Sequence, residues 1–159
     1  MANNAPVPPS LDESLVQRLA ALASEIDGCH ESVANELVQE FNSLAGTEVT
    51  YNEFQGIYGG EEHEDYVRRV LIRQLATAVP TLDRDQLTEM FTRVIENPSD
   101  EAYLEFVFST IEKTFGVAQV SDLVFWPEQY FADGDESREM TPVQMADAVL
   151  ERYNQRNVQ

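Results

Sequence analysis

The chain has little cysteine, little histidine and few positive charges. Cys29 is its only cysteine, so an intramolecular disulfide is impossible, and a reducing, cytoplasmic setting is the expectation. His30 and His63 are the only histidines; with one adjoining cysteine they are too sparse for a zinc site, and no metal is expected. No stretch of about 18 apolar residues occurs, which excludes a transmembrane helix. The opening "MANNAPVPPS" has neither a basic nor an apolar region. It reads as a disordered lead-in over residues 1–10 rather than a secretory signal. A glycine-rich phosphate loop and a serine nucleophile elbow are both missing. No carboxylate pair stands apart from the many acids, so neither catalysis nor a cofactor is expected.

Basic side chains number 10 against 29 acidic ones, a net charge of −19. Such a chain is repelled by nucleic acid and by anionic membranes, so direct binding to either is not expected. It steers a basic protein partner instead. The bland alternative is that the acid serves only solubility or a salty habitat. The charge is not a tail: residues 1–80 hold 13 acids and 4 bases, and residues 81–159 hold 16 and 6.

Apolar spacing is helical nearly throughout. Leu15, Leu19, Leu22 and Ile26 make a first stripe, with Ser10 as a candidate cap and Glu13 completing a capping box. Val33, Leu37, Val38, Phe41 and Leu44 make a second, ended by Gly46. The short aromatic "YNEFQGIY" (51–58) follows and is closed by "GG". Tyr66, Val67, Val70, Leu71 and Leu75 then predict a helix stopped by Pro80.

The second half runs through a similar series. Asp83 or Thr81 can cap a helix bearing Leu87, Met90, Phe91, Val94 and Ile95. Ser99 or Asp100 can cap the next, which carries Tyr103, Leu104, Val107, Phe108, Ile111 and Phe115 and ends at Gly116. The short aromatic "SDLVFWP" (121–127), an acidic loop, and a last helix started by Thr141 and Pro142 complete the series. The repeated order reads as an internal duplication, with Leu15 facing Leu87, Leu37 facing Val107 and Gly46 facing Gly116. The rival reading is unrelated helices in one all-α domain. The expected fold is all-α, two tandem four-helix units over residues 11–79 and 80–159, each with a short third helix.

Four segments of the second half carry a family resemblance. "LTEMFTRVI" looks like a first helix, "PSDEAYLEFVFSTIEKTF" like an acidic second helix, and "SDLVFWP" like a short third helix. "DGDES…TPVQMADAVLERY" looks like an acid-rich loop and a last helix. In this order they resemble the immunity proteins of E-type colicins and S-type pyocins, over residues 82–156. The first half, through "ELVQEFNSLAG" and "YNEFQGIYG", resembles the same domain more faintly and lacks the Asp and Pro of the third-helix signature.

The resemblance implies a four-helix immunity protein that neutralises a basic bacteriocin-type nuclease. It would bind tightly and non-covalently beside the nuclease active site. By position, Asp122, Phe125, Trp126 and Pro127 would form the anchor and Ser121 would help fix the short helix. Asp100, Glu101, Leu104, Glu105, Phe108 and Glu112 would form the selecting face of the second helix. Phe125 and Trp126 stand where the family typically carries two tyrosines, so hydroxyl hydrogen bonds to a partner are lost or replaced here.

Each reading has a plainer counterpart. Phe125 and Trp126 can be core residues, although the flanking Asp122, Pro127 and acidic loop favour partial exposure. Leu104 and Phe108 cannot both be assigned to the surface, because the helix also needs a buried stripe. Asp133, Asp135, Ser137, Glu139, Thr141 and Gln144 fall at calcium-loop spacing, but Arg138 replaces the turn glycine and Gln144 the bidentate glutamate. His63, in "EEHED", is expected at the surface. The rival function is an acidic helical adaptor or DNA mimic that blocks a basic nucleic-acid-binding protein through distributed charge.

Overall fold

A computed structural model describes residues 4–55 and 62–157. All regular structure among these residues is helical. They fall into two compact units, residues 9–75 and residues 76–159 joined by the segment up to Pro8. The division comes after Leu75, a few residues earlier than Pro80 suggests.

In the first unit, α1 (Glu13–Asp27), α2 (Glu31–Ala45), α3 (Tyr51–Phe54) and α4 (His63–Leu75) enclose one core. Helix α1 starts later than the Ser10 capping box expected. Asp12 is the cap, and its carboxylate accepts the N–H groups of Ser14 and Leu15. The buried face of α2 is Ala34, Phe41 and Ala45, whereas Val33 and Leu44 are exposed. Small alanines let the neighbouring helices approach closely, so the larger side chains one position before each turn outward. Helix α3 contributes a single buried residue. The Phe54 ring stands edge-on to Phe41 (centroids 5.0 Å apart) and to Tyr66 (5.9 Å), joining α2 to α4. The later part of the "YNEFQGIY" segment and its closing glycines lie outside the described residues. Asn42 closes the α2–α3 loop. Its amide donates to the Val49 carbonyl, and its oxygen accepts from Thr47 Oγ1 and the Val49 N–H.

His63 is not a free surface residue. Its Nε2 lies 2.9 Å from an Asp27 carboxylate oxygen, and both side chains are mostly covered. "EEHED" reads as a solvated stretch because sequence proximity alone hides this partner, 36 residues away.

The second unit contains α5 (Arg84–Glu96), α6 (Glu101–Phe115), α7 (Val120–Phe125), α8 (Pro127–Phe131) and α9 (Pro142–Asn157). Helices α5 and α9 pack most extensively, with Leu87, Met90, Phe91, Val94, Met145, Ala146 and Val149 buried. Arg84 clasps Asp147 across this pair at 2.6 Å. Ile95, which fits the apolar spacing of α5, is exposed at its end. Asp83 and Gln86 form a reciprocal capping box on α5, and Asp100 caps α6. Thr141 and Gln144 bond reciprocally at the start of α9.

Two features depart from the sequence reading. Residues 4–8 are grouped with this unit instead of trailing as a lead-in: Ala5 is buried, its N–H reaches Glu89, and Gln86 donates to the Asn4 carbonyl. The acidic loop also begins later than expected, because Pro127 opens a separate helix. The described helices of the first unit run long, long, short, long and those of the second long, long, short, short, long, and Gly46 and Gly116 each end the second helix of their unit with positive φ.

Candidate functional site

Helix α7 is held to the second unit by Val120 and Leu123, both fully buried. They are three positions apart, so they share one face of the helix. Ser121 is left exposed, Asp122 half-buried, and Phe125 and Trp126 project at 43% and 57% exposure. Pro127 explains why the chain turns here. It lacks an N–H and disfavours helical geometry in the residue before it. Trp126 accordingly adopts φ −142° and ψ 64° and is shared as a cap between α7 and α8. Its N–H donates to the Asp122 carbonyl, and its own carbonyl accepts from the Gln129 N–H.

Helix α8 fixes the other side of this junction. Pro127 and Tyr130 are buried. The Arg152 guanidinium lies 3.6 Å from the centre of the Tyr130 ring and donates to the Tyr130 carbonyl at 2.7 Å, tying α8 to α9. Burial pushes the Tyr130 phenol above its ordinary pKa, against the opposing pull of Arg152. Trp126 is thus displayed between two anchored short helices rather than on a free loop.

The α6 face meets this junction through one aromatic contact. Phe108 and Phe125 pack edge to face, with centroids 6.3 Å apart and planes at 83°. Leu104, Glu105 and Phe108 are half-buried, while Glu101 and Glu112 are exposed. The opposite stripe, Tyr103, Phe106, Val107 and Ile111, is the buried one. Leu104 and Phe108 therefore lie at the margin of the core, with acids before and after them along the helix.

Not every expected site residue is equally available. Pro127 is buried, so it positions Trp126 and offers no contact surface of its own. The Asp100 carboxylate is engaged in capping, accepting the Tyr103 N–H at 3.1 Å. The structure brings together Phe108 and Phe125, adjoining Trp126, with Leu104, Glu105 and Glu112 along the same helix.

In the acidic loop, Asp133 accepts the Asp135 N–H and pairs with Arg138. The hydroxyl and N–H of Ser137 hold the Asp135 carboxyl below its ordinary pKa. Gln144 is occupied with Thr141. Asp133, Asp135, Ser137, Thr141 and Gln144 are thus engaged in local hydrogen bonds, and no cluster of metal-ligating side chains occurs among the described residues. No described helix is long and apolar enough to cross a membrane.

No protein-family model, curated protein or solved structure matches this chain. Geometry and chemistry therefore carry the assignment of the site.

Sequence reading missed the surroundings of Trp126 on the α8–α9 side. Ile95, exposed at the end of α5, and Met140, half-buried just before α9, line the same open surface as Trp126. The missed signal was Pro127 itself: the first-position rule that marks Pro142 as a helix start applies equally to it.

Proposed function

We propose that the second unit is an immunity-type inhibitor that binds a basic bacteriocin-type nuclease domain tightly and without covalent chemistry. One observation carries the reading: Phe125 and Trp126 are exposed on an anchored short helix, with Phe125 packed against Phe108 of the acidic α6. Exposed aromatics on a rigid mount are the usual energetic centre of an interface, because little conformational freedom is lost when a partner covers them. Surrounding carboxylates accelerate encounter with a cationic partner and reject anionic ones. The protein acts by occupying a surface of the nuclease, and the cytoplasm of the producing cell is where such protection is needed.

The test uses the full chain against purified colicin-type DNase and rRNase domains, with association and dissociation rates followed as salt is raised. The on-rate should fall with salt while the off-rate stays slow. Trp126→Ala should weaken binding by about 2–4 kcal/mol. Asp122→Ala should weaken it more than Glu36→Ala in the first unit. Failure of every nuclease domain to bind, or equal effects of the two acid substitutions, would sink the proposal.

The wide spread of the net charge of −19 favours a second reading, a DNA mimic acting through distributed charge. That reading predicts an affinity that collapses with salt and is indifferent to Trp126.

A further inference from the structure

Between the α7–α8 junction and the start of α9 lies an open groove of about 540 Å³. Its lining includes Trp126, Val124, Ile95, Met140 and Met145. Met145 is almost fully covered and Val124 and Met140 are half-covered, while Ile95 and Trp126 stand 43% and 57% exposed. The surface is therefore apolar at its base with a wettable aromatic wall. A volume of this size accepts one or two side chains, since sites for small ligands span about 300–1,000 Å³.

The lining also contains the carboxylates of Glu128, Glu136 and Glu139 and one cation, Arg138. Arg138 is already committed: it pairs with Asp133 and its guanidinium lies 4.3 Å from the centre of the Phe131 ring. The groove thus presents apolar surface and uncompensated negative charge together.

We propose that this groove is a docking subsite for a Lys or Arg side chain and its apolar neighbour in a basic partner protein. The inference rests on reading this unit as a partner-binding module, and it extends the contact surface beyond α6 and α7. The aliphatic stem of a Lys or Arg suits the methionine-lined base, and methionine adapts to irregular shapes. The cationic head is drawn to the three glutamates and to the face of Trp126. A second copy of this chain is disfavoured as occupant, because it would bring −19 against −19. An acidic apolar segment is disfavoured for the same reason.

Trp126 is the only tryptophan, so intrinsic emission of the full chain reports this wall of the groove directly. The probe is a capped peptide, Gly-Lys-Leu-Arg-Leu-Gly, compared with its twin carrying Glu in place of Lys and Arg. The basic peptide should shift Trp126 emission to shorter wavelength in a saturable way, and the acidic twin should not. Glu136→Gln/Glu139→Gln, both at exposed positions, should weaken the basic peptide about tenfold. Glu25→Gln/Glu36→Gln, both exposed in the first unit, should leave it unchanged. Equal binding of the two peptides, indifference to the Glu136/Glu139 pair, or no peptide binding at all would overturn the subsite. Parallel titration with the colicin-type nuclease domains separates the two ideas. Nuclease binding without charge-dependent peptide binding removes the groove and leaves the inhibitor reading. Charge-dependent peptide binding without nuclease binding does the reverse.

Discussion

The contact between Phe108 and Phe125 is what makes one surface out of two helices, and a double-mutant cycle measures it. A fully enclosed Phe buries about 200 Å². Phe125 is 43% exposed, so its truncation to Ala removes about 100 Å² of covered apolar surface. At ~25 cal/mol per Å² that costs at most about 2.5 kcal/mol. Phe108, half-buried on α6, should cost a similar amount. An edge-to-face pair contributes ~0.5–1.5 kcal/mol beyond area. With centroids 6.3 Å apart and planes at 83°, this pair has the required geometry. The double variant should therefore be less destabilised than the two single losses together, by about 0.5–1.5 kcal/mol. Urea unfolding followed by Trp126 emission reads the second unit alone, because no other tryptophan exists. Additivity within ~0.3 kcal/mol would refute the view that the two rings form one patch.

Leu123→Ala should destabilise the second unit by about 2–5 kcal/mol, since Leu123 is fully buried, and by more than Trp126→Ala. The reverse order in urea unfolding followed by circular dichroism would place Trp126 in the core. The Arg84 guanidinium holds the Asp147 carboxyl below its ordinary pKa, and Asp147 in turn raises that of Arg84. A carboxyl depressed by folding stabilises fully above its unfolded value and loses that contribution as pH falls through the folded value. In an NMR titration Arg84→Gln should return Asp147 to the ordinary range; an unmoved midpoint would contradict the pairing. Gly116 sits at φ +65°, where an added Cβ would lie 3.3 Å from Arg156 Nη1, so Gly116→Ala should cost about 1 kcal/mol in urea unfolding.

The long helices and their order were legible because apolar residues recur at helical spacing and Gly46, Gly116 and Pro142 punctuate them. The exposure of Phe125 and Trp126 was legible less directly, from the acids and the proline beside them. Three things were not. The α2 stripe turned out to be Ala34, Phe41 and Ala45, because alanines that permit close helix approach look unremarkable beside Val33 and Leu44. The Asp27–His63 pair joins residues far apart in the chain. Helix α8, with its Arg152–Tyr130 tie, was hidden inside what read as an acidic loop.

By itself the sequence determined the all-helical class, the net charge of −19 and the chemical character of the exposed patch, since these depend on local periodicity and composition. Only the tertiary structure decided which aromatic rings touch. It alone set Trp126 between two anchored short helices and placed Ile95, Met140 and Met145 beside it. Those relations join residues from α5, α6, the α7–α8 junction and the start of α9, and local spacing carries no information about which distant side chains will meet when separate helices pack.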